Sequence, residues 1–295
     1  MVCSAVNVSI VVPAYNEEGQ VATVLCSILA QLRQLEGSWE LLVVDDGSTD
    51  ETAAIAREVD PLIRIVQHPY NQGNGAAVKT GIRHASGEIV VVMDGDGQHD
   101  PGDIPRFVEA CGKFDMVVGA RGRRSQAGWH RGLANSVYNR FATYVTGQKI
   151  ADLTSGFRAF RRDVARQFLS LLPNGFSYPT TITLCLMRAG FSVSYIPIEA
   201  AKRSGKSKIK LFSDGTKFFL VIMKICMLFS PMRIFLPVSF YVFLMGLGYY
   251  GYTYWSSHRF TNMSMLLFTT SVQIFMMGLI AEQVAQMRFE RSDES

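Results

Sequence analysis

The chain has 295 residues, 48% of them hydrophobic and 18% charged, with a formal net charge of +4. That length holds one large domain and something more, while the charged share falls below the roughly 25% usual for a soluble domain. A modest positive balance without a basic stripe argues against a nucleic-acid partner and suits a protein on an anionic membrane surface.

In chain order, the first 120 residues alternate strand-like and helix-like segments. NVSIVVP is a short β-rich run, followed by a helical pattern from about Glu17 to Leu35. ELLVVDDGS is a second strand ending in acids, and the helix from Asp50 to Val59 that follows can take Asp50 or Thr49 as its N-cap. IRIVQ, EIVVVM and DMVVGA read as three further strands, separated by a glycine-opened helix (GNGAAVKTGIRHA) and a helix from Asp103. Continuous apolar strands alternating with helices predict a mostly parallel sheet covered on both faces. Residues 125 to 200 are less regular, with helical stretches near Arg131 to Val145 and Pro179 to Ala189.

The charge deficit lies after Phe218. No charged residue occurs from Ile234 to Ser257 or from Phe260 to Ala281, and each run is long enough to cross about 30 Å of hydrocarbon. A buried helical hairpin is the alternative, but two successive runs favour a two-helix membrane anchor over 231–295. Lys210, Lys217, Lys224 and Arg233 precede the first run, and Arg288 and Arg291 follow the second. The positive-inside bias then predicts a multi-pass protein of the cell inner membrane, with both ends and the N-terminal domain cytoplasmic. Trp255 and the neighbouring tyrosines suit the far interface. Between domain and anchor, over 206–230, lysines and apolar residues fall on different helical faces, as in a helix lying in the membrane interface. Val8 to Val12 is too short for the apolar core of a signal peptide. Five scattered cysteines without a Cys-x-x-Cys agree with a reducing compartment and argue against a zinc site.

The chemistry is concentrated at strand ends. PAYNE, DDGS and DGDGQHD each follow an apolar strand, and in an open α/β sheet ligands bind beyond the carboxyl ends of the strands. If those strands are neighbours, Glu17, Asp46, Asp94 and Asp96 face one cleft, where so many carboxylates repel unless a cation joins them. Oxygen donors at Asp96 and Gln98 suit Mg²⁺ or Mn²⁺, with water and phosphate filling the remaining positions. An EF-hand starting at Asp94 fails, since His99 and Pro105 stand where glycine and glutamate belong. The glycine pattern at Gly73 meets Val78 where the dinucleotide fingerprint needs a third small residue, and no P-loop is present.

VSIVVPAYNEE, ELLVVDDGSTDET, NQGNGAAVKTG and VVVMDGDGQHDP together resemble glycosyltransferase family 2, whose fold is GT-A. ADLTSGFRAFRR and the amphipathic-plus-hairpin C-terminus narrow the resemblance to the polyprenyl-phosphate glycosyltransferases, the dolichol-phosphate mannosyltransferases among them. The resemblance implies a GT-A domain over 1–205 and roles for particular residues. Pro13, Tyr15, Glu17 and Asp46 would hold the base and ribose. Asp94 and Asp96 form the D-x-D, Asp96 and Gln98 being metal ligands and Asp94 nearer the ribose or the metal's water shell. Arg121, Arg131 and Asn135 or Ser136 would meet the acceptor phosphate, and either Lys202 or Arg203 the donor diphosphate. Asp152 is the third acid, able to orient the acceptor, shape the site or act as base. His99 is a weaker metal candidate than Gln98.

The implied reaction moves one sugar from a nucleotide sugar to a polyprenyl phosphate, undecaprenyl or dolichyl, with inversion. A UDP-sugar is favoured, and a GDP-mannose-dependent enzyme is the alternative. The other rivals are a processive polysaccharide synthase, whose Q-x-x-R-W pattern is absent, and a catalytically silent membrane scaffold. A homo-oligomer is compatible with the sequence.

Overall fold

The computed structural model describes residues 8–121, 139–199 and 230–293 apart from 141, 145 and 176, together with 220, 223, 226 and 227. The chain divides into two compact units, residues 1–221 and 222–295. The segment expected to lie in the membrane interface falls almost wholly outside the described residues.

In the first unit, seven strands form one sheet: β1 (Val8–Ala14), β2 (Trp39–Asp45), β3 (Ile63–Gln67), β4 (Ile89–Val92), β5 (Met116–Arg121), β6 (Arg158–Arg161) and β7 (Val193–Ile198). Their order is β3-β2-β1-β4-β6-β5-β7. Every pairing is parallel except those that β6 makes with β4 and β5. The sheet is therefore mixed, with six strands in one direction and a single reversed insert. The five expected strands are present. β6 and β7 are additions, and both escape sequence reading for physical reasons. RAFR is four residues long with arginine at each end, and VSYIPI carries Pro197, which an edge strand tolerates because its N–H side need not pair.

β1 is buried at all seven positions, as a central parallel strand covered on both faces should be. One face carries a core of Ile10, Val12, Leu41, Val43 and Val91 packed against α1 (Val21–Leu32) and α4 (Ile104–Cys111). The other face receives α3 (Asn74–His84) at very close range: a Cβ on Gly81 would lie 2.2 Å from Val11 Cγ1. α1 is shorter than the expected span, with Glu17 to Gln20 forming a turn in which Val21 N donates to Glu17 O at 2.9 Å. α2 (Thr52–Val59) also starts late. Its N-cap position is Glu51, yet Asp50 Oδ1 accepts from Thr52 N at 3.1 Å and so supplies the capping bond from one residue earlier. α5 (Arg162–Gln167) and α6 (Tyr178–Arg188) follow later in this unit.

The second unit contains α7 (Met232–Ser257) and α8 (Asn262–Asp293). Both are long and apolar enough to cross a membrane, and only 11% and 17% of their most apolar windows are buried. A hairpin from the core of a soluble protein would be mostly covered, so that alternative is not supported. The helices meet through small residues. Ser239 Oγ donates to Ser271 O and Ser271 Oγ to Ser239 O, each at 2.9 Å, and a Cβ on Gly278 would lie 2.6 Å from Phe235 Cβ.

Candidate active site

β2, β1 and β4 are adjacent and parallel, so their carboxyl ends reach one edge of the sheet together, with Ala14 beside Asp45 and Val11 beside Val92. Met93 N donates to Val11 O at 3.1 Å, and Asp46 N to Ala14 O at 2.9 Å. The D-G-D-G turn runs on beside β1, where a Cβ on Gly95 would stand 3.3 Å from Pro13 O. The loops after β1 and β2 are stitched together. Asn16, held at a φ of 52°, accepts from Thr49 N at 2.9 Å, and Glu17 N donates to Thr52 Oγ1 at 2.8 Å. Tyr15 and Glu17 sit half-buried on this rim, while Pro13 is buried inside β1.

Asp46 is almost fully buried and already engaged. Its Oδ1 accepts from Gln72 N at 2.9 Å and lies 2.7 Å from His68 Nδ1, and its Oδ2 accepts from Gly73 N at 2.8 Å. His68 Nε2 in turn lies 2.9 Å from Thr80 Oγ1. Asp46 thus anchors the loop that opens α3, a job that sequence reading did not assign to it. Asp45 beside it accepts from Ser48 N at 3.2 Å through Oδ1, while its buried Oδ2 has no hydrogen-bond partner among the described residues.

The carboxylate of Asp94 occupies a space that only glycine leaves open: a Cβ on Gly156 would sit 2.1 Å from Asp94 Oδ2. On its other side, Asn74 Nδ2 donates to Asp94 Oδ1 at 3.5 Å. Asp96 Oδ1 accepts from Gln98 N at 3.2 Å, which folds the turn so that both residues belong to one short bend. His99 is 7% exposed and its ring lies 5.3 Å from that of Phe157. Burial pushes its pKa down to about 4 against the opposing pull of Asp96, and its Nδ1 makes no hydrogen bond among the described residues. This side chain packs behind the turn.

Arg121, at the end of β5, reaches Asp152 through two nearly parallel bonds, Nε to Oδ2 at 2.8 Å and Nη2 to Oδ1 at 3.1 Å. Nη2 also donates to Thr154 Oγ1 at 2.6 Å. Burial alone would raise the Asp152 carboxyl. The Arg121 hydrogen bond and charge, with the backbone N–H groups of Thr154 and Arg121, outweigh it and hold the group below its ordinary range. Burial likewise opposes the Arg121 charge, and Asp152, with Asp94 beyond it, raises that group above its usual value. The arginine and these two acids therefore share one electrostatic neighbourhood, and Arg121 keeps 24% of its side chain exposed. A carboxylate so held is a poor proton acceptor and a good clamp.

Among the described residues, no three His, Cys, Asp or Glu side chains converge as a cage for a cation. A Mg²⁺ or Mn²⁺ ion needs only one or two protein oxygens where water and substrate phosphate complete its shell, and Asp96 and Gln98 could supply them. Arg131, Asn135, Ser136, Lys202 and Arg203 lie outside the described residues. Gly156, His68 and Arg158 belong to the site's framework without having been singled out in sequence, since each is identified by what lies against it.

A family model described as glycosyl transferase family 2 matches residues 9–169, and one described as GtrB C-terminal hairpin matches 230–287. Undecaprenyl-phosphate 4-deoxy-4-formamido-L-arabinose transferases are similar along nearly the whole chain. The one from Pectobacterium carotovorum subsp. carotovorum (strain PC1) is 29% identical, with 95% of this chain and 88% of that protein covered. The one from Proteus mirabilis (strain HI4320) is 27% identical with the same coverage. Among solved structures, glucosyl-3-phosphoglycerate synthase from Mycobacterium tuberculosis, in complex with Mn²⁺, uridine diphosphate and phosphoglyceric acid, aligns at a TM-score of 0.62 and 20% identity. It covers 75% of this chain and 78% of its own, and confirms the GT-A fold. The first family match takes in more than half of the chain, including every acid-bearing strand end described above, and on that ground the chain belongs to glycosyl transferase family 2.

Proposed function

We propose that the protein transfers one sugar from a nucleoside diphosphate sugar, with a UDP-sugar favoured, to a polyprenyl phosphate in the membrane, with inversion at the anomeric carbon. The observation that carries this reading is the pairing, at one sheet edge, of the open acid turn Asp94–Gln98 with the Arg121–Asp152 clamp. An acid turn suits a cation-bound diphosphate, and a partly exposed arginine suits a second phosphate. The names of the relatives support a lipid phosphate acceptor, and the two apolar helices support a membrane location.

In this reading an acceptor phosphate oxygen forms a bond to the anomeric carbon as the bond from that carbon to the diphosphate breaks, and the nucleoside diphosphate leaves. A phosphate monoester with a second pKa near 6 is already a dianion at neutral pH, so no proton need be removed. Asp152 accordingly orients Arg121. Asp96 and Gln98 would hold a Mg²⁺ or Mn²⁺ ion, whose chemistry is to neutralise charge on the leaving diphosphate. Tyr15 and Glu17, with Asp46 behind them, would bound the nucleotide pocket. Arg131, Asn135 and Ser136 would add to the acceptor site, and Lys202 or Arg203 to the diphosphate site. The catalytic unit would face the cytoplasm at the inner membrane, where a lipid acceptor confined to the bilayer meets it at headgroup height.

The test is nucleotide release by the full chain in detergent with undecaprenyl phosphate, a panel of UDP- and GDP-sugars and Mg²⁺ or Mn²⁺. Release that requires both lipid phosphate and metal, and is abolished by Asp96→Ala in protein of unchanged circular dichroism, is the expected result. Folded wild-type protein that releases nothing with any donor would overturn it in favour of a silent scaffold.

A further inference from the structure

Arg158 is the largest of the fully buried side chains among the described residues. It opens β6 and stands opposite Val92 of β4 on one side and Val118 of β5 on the other, directly under the strand ends that carry Asp94 and Arg121. Its guanidinium is spent on neutral acceptors. Nε donates to Ser155 O at 2.7 Å, Nη2 to Leu153 O at 3.0 Å and Nη1 to Thr183 Oγ1 on α6 at 2.5 Å. Among the described residues no carboxylate accepts from it. A guanidinium stays protonated in proteins, so this is a buried cation without an ion pair, a costly choice for filling space that an apolar side chain could fill. What only arginine offers is several donors in a fixed planar fork.

The two carbonyls that this fork holds mark the ends of the site's innermost loop. Leu153 directly follows Asp152, and Ser155 directly precedes Gly156. Between them, Asp152 and Thr154 grip Arg121, and Gly156 leaves room for Asp94. We infer that Arg158 is a positioning residue for sugar transfer, which fixes this loop from beneath and through it sets Arg121 and Asp94 at the same time. The role rests on the reaction proposed above, and the loop-holding part of it can be judged separately.

The experiment compares Arg158→Lys, Arg158→Met and Thr183→Ala in the full chain in detergent, by amide hydrogen exchange and by transfer kinetics. In both Arg158 variants the 151–157 segment should exchange at least about tenfold faster while β1 and β4 keep wild-type protection. Turnover should fall by about 10- to 100-fold, with KM for the nucleotide sugar changed by less than about twofold. Lysine should not rescue, because one ammonium cannot span both carbonyls. Wild-type kcat with wild-type loop protection in either variant would overturn the inference. So would a parallel loss of protection across the whole sheet with a matching rise in KM, which marks a general packing role. If neither Arg158 variant folds, Thr183→Ala decides: faster loop exchange and a kcat lowered by about threefold or more are expected, and no change in either overturns the role. A wild-type chain inert with every donor would sink the proposed reaction, yet the exchange comparison would still show whether Arg158 holds the loop.

Discussion

A methyl group at Gly156 would sit 2.1 Å from Asp94 Oδ2 and 2.8 Å from its carboxyl carbon, and only a shift of Asp94 or of the 152–156 loop relieves such contacts. Gly156→Ala is therefore expected to lower kcat by about 100-fold, the effect of misplacing a reacting-site group by roughly 1 Å. Circular dichroism should be unchanged, and steady-state transfer assays check the rate. Asp152 is a second case. Its pKa is held below the ordinary carboxylate value, so it is ionised throughout the neutral range, and its contribution to stability is lost only as the pH falls below that value. Hence kcat measured between about pH 6 and pH 9 should show no step due to Asp152. Such a step, present in the wild type and missing from Asp152→Asn, would make it a base after all. An acid at this position is visible in the sequence; its bond to Arg121, 31 residues away, is not.

At the amino ends of the strands, Glu40 of β2 ties three neighbours together. It accepts from Ser9 Oγ of β1 at 2.6 Å, from Ser86 N before β4 at 2.6 Å, and from Arg64 of β3. Burial alone would raise its pKa, but the Ser86, Ser9 and Arg64 bonds carry it down from 4.5 to about 2. With the folded value depressed, Glu40 stabilises the sheet fully above about pH 4.5 and ceases to do so as the pH falls through about 2. Glu40→Gln should consequently melt at a lower temperature than wild type at neutral pH, and the gap should close across that acid window in differential scanning fluorimetry. β1 to β5 are legible because each is an apolar run bounded by turn residues or acids. β6 is not, since Arg158 is buried by its bonds to backbone carbonyls rather than by any apolar character.

For the molecule as a whole, the hairpin pairs through reciprocal serine bonds while its large apolar side chains point outward, Trp255 at 89% exposure being the extreme. In water that surface would drive association; in lipid it is the expected exterior. The positive-inside bias of Lys and Arg around the two runs predicts that the short connection of His258 and its neighbours lies outside the cytoplasm. An impermeant maleimide added to intact spheroplasts should thus label His258→Cys, whereas the exposed native Cys26 should react only after lysis. The reverse pattern would put the sugar-transfer unit outside the cytoplasm.

Hydrophobic periodicity, strand-end acids and two uncharged runs are local properties, and by themselves they determined the α/β class, the acid-bearing edge and the hairpin. The resemblance of four ordered motifs added the family. What only the tertiary structure decided depends on residues far apart in sequence. Ser9 reaches Gly87, Asp46 locks to His68 and the backbone at Gln72, Asp94 owes its space to Gly156, and Arg121 owes its direction to Asp152. A side chain's type fixes what bonds it can make. Which of them it does make is settled by the sheet order: β3-β2-β1-β4 brings the first two pairs together, and in β4-β6-β5 the reversed β6 carries the 152–156 loop between the strands that bear Asp94 and Arg121.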